Sequence, residues 1–421
     1  MDISNNPNIT PDLQRRPVSL ATRIVCSIVL LICSFSLPVM TFYINRTGTQ
    51  QAADYESPLL LGIALCSLAL CAAFVLIYCH KPVFLGCAFA CFVFLFLFGA
   101  WICVLFASLL CAVVAGAALL ADVKGKDHLL FALPIPIAYL AAFALTRDPL
   151  LALGVLLPAI GAVALAFCFR KKFAIITSVG VLTGSLAVLL VLFFVLDMAV
   201  AGIPLNMQGI NDLIKAYHAT ISDAFGQALQ LMIESEELAT EVASMLGGEI
   251  SAELIAEFAD SVATAMLGML PGLLVMMLWI FSFVAHRGFT AILLKGQPKE
   301  VCPTHMSEYL PSIPTAVLML LCYVLLIVSA FFANGEVVTF IALNLLFVLM
   351  PILLVSGILG IVANVKQARV KWPLLLLYGI SVVFLGLAVI PMIAFFGAFG
   401  VIMQAIAKAL EKKFNDFQGG Q

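Results

Sequence analysis

The chain is predicted to be all-α: a polytopic transmembrane helix bundle of about 11–12 spans, with one extramembrane amphipathic helical segment. Three observations predict this. The 421 residues are 64% hydrophobic and 10% charged, against about 45–50% and about 25% in soluble domains. The excess lies in apolar runs of about 18 residues or more bounded by charges, as expected of helices that satisfy their own backbone groups in lipid. The Lys and Arg residues also fall preferentially in alternate loops, as the orientation rule for short cytoplasmic loops requires.

Residues 1–17 are polar and contain Pro7 and Pro11, and are read as a disordered cytoplasmic lead. The run that follows Arg15 and Arg16 is too long for a signal-peptide core and has no small-residue cleavage site, so it is taken as a retained first helix. That span covers residues 24–44, with Pro38 near its far end, and the second covers 58–79. Residues 82–121 are uninterruptedly apolar; one helix of that length would reach about 60 Å across a hydrocarbon core of about 30 Å. Two helices with a turn near Gly99 are expected instead. Runs at 129–145, 150–169 and 173–201 complete an N-terminal transmembrane block, 18–202.

Residues 203–265 cannot sit in lipid. Ten carboxylates between Asp212 and Asp260 face a single Lys215. Glu249, Glu253, Glu257 and Asp260 recur at helical spacing beside Ile250, Leu254, Phe258 and Val262, the pattern of an amphipathic helix. Gly247 and Gly248 would hinge the segment into two helices, and the acidic stripe is a candidate partner surface. The excess of carboxylates disfavours an anchor to anionic lipid, which takes Lys and Arg.

The C-terminal block, 266–406, holds runs at 266–294, 313–333, 337–363 and 374–406, followed by a polar tail at 407–421. The last run has Pro391 near its middle and crosses either once or, as a tight hairpin, twice. With the N-terminus inside and twelve crossings, only Arg46, Arg147 and Lys215 of the 21 Lys and Arg residues lie outside. If the last run crosses once, Lys408, Lys412 and Lys413 join them. Either count puts 203–265 on the outer side of the membrane.

Signals for chemistry are sparse. All cysteines but Cys302 lie in apolar runs, where a thiol packs as a small hydrophobe, and no CxxC pair exists. Cys302 and His305, with His286 nearby in sequence, are two ligand types where a structural zinc site needs four ligands, so no metal is expected. His80 and His286 are read as lying at helix ends. No HExxH, GxSxG, Walker A or dinucleotide fingerprint is found, so neither enzyme activity nor a cofactor is expected, and nothing points to nucleic acid. Asn344 is the polar residue nearest the middle of a span, and is either a ligand contact or a helix-to-helix hydrogen bond. Gly180 with Gly184, Ala138 with Ala142 and Ala162 with Ala166 permit close helix approach.

The order of features from Leu150 onward resembles the YybS-like family of bacterial multi-pass membrane proteins. It is carried by LLALGVLLPAIGAVALAFCFRKKFAIITSVGVLTGSL at 150–186, the helical segment, LPGLLVMMLWIFSFVAHRGFTAILLKGQ at 270–297 and EYLPSIP at 308–314. The chain ends LEKKFNDFQGGQ, keeping only Phe414, Asp416 and Phe417 of that family's tail. The resemblance implies a distant similarity to the S components of energy-coupling-factor transporters, and so a substrate-binding or transport component with a membrane or ATPase partner. The alternative is a non-transporting scaffold or regulator that docks an envelope partner through its acidic outer helices.

Overall fold

A computed structural model describes residues 18–47, 58–78, 100–121, 128–234, 252–293, 309, 311–329, 331, 335–367 and 389–418. Among these residues every regular element is helical: α1 (Leu20–Thr47), α2 (Pro58–Tyr78), α3 (Ala100–Ala121), α4 (Pro134–Thr146), α5 (Leu156–Arg170), α6 (Ile175–Val200), α7 (Met207–Glu234), α8 (Ala252–Leu293), α9 (Ile313–Ser329), α10 (Gly335–Gln367) and α11 (Val389–Gln418). Single turns at Leu129–Ala132 and Pro149–Ala152 lead into α4 and α5. Eight helices among the described residues are long and apolar enough to cross a membrane; the protein is a polytopic membrane helix bundle. The expected turn near Gly99, the hinge at Gly247 and Gly248, Glu249, Cys302, His305, the lead 1–17 and residues 374–388 lie outside the described residues.

The helix ends follow local chemistry. Ser19 caps α1 by accepting from the Thr22 amide at 3.2 Å, and Ser312 caps α9 by accepting from Thr315 at 3.3 Å. Asn206 Oδ1 accepts from Gly209 at 2.9 Å at the start of α7. Asp148 accepts from the amides of Leu150 at 2.9 Å and Leu151 at 3.1 Å, with Pro149 in the next position, where its missing N–H costs nothing. At the C-termini, Lys172 and Gly202 adopt left-handed backbone, with φ of 56° and 71°. In each case the next amide reaches back five residues, Phe173 to Cys168 and Ile203 to Met198, which closes the helix in a Schellman turn.

The chain forms two compact units, Met1–Val191 with Leu278–Tyr309 and Leu192–Met277 with Leu310–Gln421. The first is built around α3, in which residues 110–119 are buried without a break. A helix covered on every side must be apolar all round, and Leu110–Leu119, LCAVVAGAAL, meets that requirement. Lipid is as apolar as leucine, so packing and hydrogen bonds hold such helices together instead of exclusion of water. Small side chains let neighbours approach closely: a Cβ on Gly116 would lie 2.7 Å from the Ala162 Cβ of α5. Phe106 of α3 meets Phe281 of α8 edge to face, as Phe169 of α5 meets Phe289. Arg170, in the last turn of α5, donates to the Leu120 carbonyl at the C-terminal end of α3, where carbonyls lack helical partners. Beyond α8, Tyr309 is buried against Phe283, and that burial pushes its phenol above the ordinary value.

In the second unit α9, α10 and α11 enclose Ala316, Met319, Cys322, Leu346, Leu353, Ala394 and Ala398. Tyr323 donates its hydroxyl proton to the Pro391 carbonyl at 3.0 Å, and the Ser329 and Thr339 hydroxyls are 2.8 Å apart. A Cβ on Gly397 would run into the Leu353 carbonyl oxygen, and one on Gly357 into that of Ile393, so α10 and α11 touch backbone to backbone.

Two boundaries differ from the expectation. Pro391 lies in the first turn of α11 as described from Val389, where the ring is tolerated; residues 374–388, on which the choice between one crossing and a hairpin turns, lie outside the described residues. The helix then continues through the expected tail 407–421 as far as Gln418. The border at residue 265 also falls inside a single helix: α8 is 42 residues long and passes through Pro271. At about 1.5 Å per residue it reaches about 63 Å, twice a hydrocarbon core of about 30 Å.

Candidate functional site

Pro271 has no amide proton to give to the carbonyl four residues back, which weakens the α8 ladder at this point. Gly268 and Gly272 flank it. In an uninterrupted helix the Gly272 amide would donate to the Gly268 carbonyl. Here both groups are bonded to one side chain of α10: Gly272 N donates to Asn344 Oδ1 at 2.6 Å, and Asn344 Nδ2 donates to the Gly268 carbonyl at 2.6 Å. The carboxamide therefore bridges the two ends of a helical hydrogen bond. Its second amide proton goes to the Phe340 carbonyl at 2.8 Å, one turn back on α10. Three of the four hydrogen bonds open to an Asn side chain are made, all with backbone.

Both glycines are required by this contact. A Cβ on Gly272 would lie 2.7 Å from the Asn344 Cα, and one on Gly268 would lie 2.8 Å from the Phe340 ring. The sequence singled out Asn344 but did not connect it with Gly268-Met-Leu-Pro-Gly272; a GxxxG spanning a proline was the available signal.

The acidic segment forms a second candidate site. α7 carries polar and apolar residues at helical spacing, and Leu229 and Ile233 pack on Ile255 of α8. Farther along, His218 Nε2 lies 3.0 Å from Thr264 Oγ1 and 3.6 Å from the Asp260 carboxylate. Low numbers on α7 thus meet high numbers on α8, as in an antiparallel hairpin. Beside this contact face runs a stripe at i, i+4 and i+7, Ile210, Ile214 and Tyr217, which are 38%, 49% and 53% exposed. Glu253, Glu257 and Asp260 are exposed on α8, and Asp212 and Asp223 are exposed on α7.

His286 does not lie at a helix end. It is buried inside α8, one turn from Ser282 and one from Thr290, which are also buried. Its Nδ1 and the Ser282 hydroxyl have no hydrogen-bond partner among the described residues. The i, i+4, i+8 polar row was readable in the sequence. Among the described residues, no group of three His, Cys, Asp or Glu side chains is spaced to hold a metal ion.

Comparison with family models, with curated proteins and with solved structures gives no match to this chain.

Proposed function

We propose that the protein is a membrane component that acts through a partner, presenting the α7–α8 hairpin to a protein of the cell envelope. The observation that carries this reading is the uncovered stripe of Ile210, Ile214 and Tyr217 beside exposed carboxylates. An isoleucine and tyrosine patch rimmed by charge is the composition of a docking surface. The excess of Asp and Glu selects a partner whose facing surface carries Lys and Arg. Asn344 supports the same reading indirectly, because its donors and acceptor already serve two helices and little is left for a ligand. Binding, not catalysis, is the proposed activity. The membrane is taken to be a bacterial cytoplasmic membrane from the resemblance to the YybS-like family, and the N-terminus is taken to be inside and the hairpin outside from the Lys and Arg distribution.

A photo-crosslinking residue at Tyr217, irradiated in native membranes, tests the proposal. A discrete protein adduct that is lost when Glu253, Glu257 and Asp260 are changed to Lys supports it. An adduct to lipid alone, or none, rejects it. A second reading, a transport component, is favoured by Pro271 inside the membrane helix α8, where one backbone hydrogen bond is lost, since irregular membrane helices line the sites of many transporters. The resemblance to the YybS-like family points the same way. Under that reading the adduct is an ATPase or transport subunit, and a small molecule accompanies the purified complex.

A further inference from the structure

The first unit gathers thiols from three helices. Cys33 of α1 and Cys71 of α2 have their sulfurs 3.8 Å apart. Cys71 donates its single proton to the Ala107 carbonyl of α3 at 3.5 Å, so Cys33 is the donor between the two. Cys111 of α3 is also in hydrogen-bonding reach of Cys71. The three thiols are 0%, 4% and 3% exposed. Each helix brings a serine with its cysteine: Ser34 follows Cys33, Ser67 is one turn before Cys71, and Ser108 is one turn before Cys111. The Ser34 and Ser67 hydroxyls are buried without a hydrogen-bond partner among the described residues, and Ser108, like Cys111, is in hydrogen-bonding reach of Cys71.

The thiols are not spaced as a metal site. They form a chain in which Cys71 touches both neighbours. We propose that Cys33 and Cys71 are a redox pair, closed to a disulfide by a peroxide, a small neutral two-electron oxidant able to enter an apolar interior. The Cys71 sulfur, which accepts from its neighbours, attacks one peroxide oxygen. The O–O bond breaks, a sulfenic acid forms and water leaves with the thiol proton. The Cys33 sulfur then displaces the hydroxyl from the Cys71 sulfur, the S–S bond forms, and the Cys33 proton leaves with that hydroxyl as a second water. Two thiols and one peroxide thus give one disulfide and two waters. Closure needs the sulfurs to approach from 3.8 Å to about 2.05 Å, and it staples α1 to α2.

The test uses the full chain in lipid nanodiscs, treated with hydrogen peroxide, denatured and alkylated. Two of the twelve cysteines should become closed to alkylation, a linked peptide pair should contain Cys33 and Cys71, and dithiothreitol should reopen both. C33S and C71S should each abolish the linked pair, and C111S should retain it. The wild-type peptide map decides the matter even if a variant fails to fold. Twelve alkylated cysteines after peroxide, oxidation that stops at sulfinic acid, or a link from Cys71 to Cys111 in place of Cys33 would overturn the proposal.

Discussion

The two units reach close helix packing by different means. In the first, tight approaches set side chain against side chain: Gly116 faces the Ala162 Cβ, and Gly161 faces Val113. In the second, Gly268 also faces a side chain, the Phe340 ring, but Gly272 faces the Asn344 Cα, Gly357 the Ile393 carbonyl and Gly397 the Leu353 carbonyl. A side chain can be traded for a smaller one and a carbonyl cannot, so Gly357 and Gly397 tolerate less change than Gly116 and Gly161. Both units tie polar side chains to backbone, the second at Asn344 and Tyr323 and the first at Ser27 and Arg170; polar atoms buried and unpaired among the described residues are those of Ser34, Ser67, Thr183, Ser282 and His286 in the first unit and Ser356 in the second.

The largest expected effect is at Gly397. Changing it to Ala puts a methyl group into backbone and should cost about 3 kcal/mol, read as loss of the folded fraction in a detergent titration. Gly116→Ala should cost about 1–2 kcal/mol and be rescued by adding Ala162→Gly; no neighbouring side-chain change should rescue Gly397→Ala. If both respond alike to such repair, the distinction between the units fails.

Leu229→Ala acts on the part of the second unit that is packed in water. It should cost about 2 kcal/mol of local stability and expose α7 to protease without altering the α9–α11 packing. Asn344→Leu should cost only about 1 kcal/mol, because the Gly272 amide and Gly268 carbonyl remain i and i+4 partners within α8. Spin labels placed on α8 either side of Pro271 should report a changed distance. An unchanged distance would mean that the carboxamide does not bend α8 at Pro271. Smallest of all, Ser282→Ala should be neutral or stabilising by up to about 1 kcal/mol, since it removes a hydroxyl that gains no hydrogen bond.

Much of this architecture could be read from residues. Apolar length and charge placement fixed helix positions such as α1, α6 and α10 to within a few residues, because lipid leaves the backbone only one economical solution. The capping residues Ser19, Asp148, Asn206 and Ser312 could have sharpened those limits. Pro391 is ambiguous in sequence because a proline reads alike in the first turn of a helix and in a break; neighbouring packing decides which. The Asn344 clasp was half legible: a polar residue in a span was visible, but its partners lie more than seventy residues away on another helix. The three-thiol junction was hidden for the same reason, since Cys33, Cys71 and Cys111 come together only through tertiary packing.

Arg170 carries a consequence for biogenesis. Basic residues at the ends of spans bias which way a segment enters the bilayer, and this one also closes the carbonyl end of α3 through Leu120. A nascent chain inserted with this loop on the wrong side would strand the guanidinium away from that carbonyl. Insertion errors would then surface as folding errors, visible to the proteases that survey the membrane.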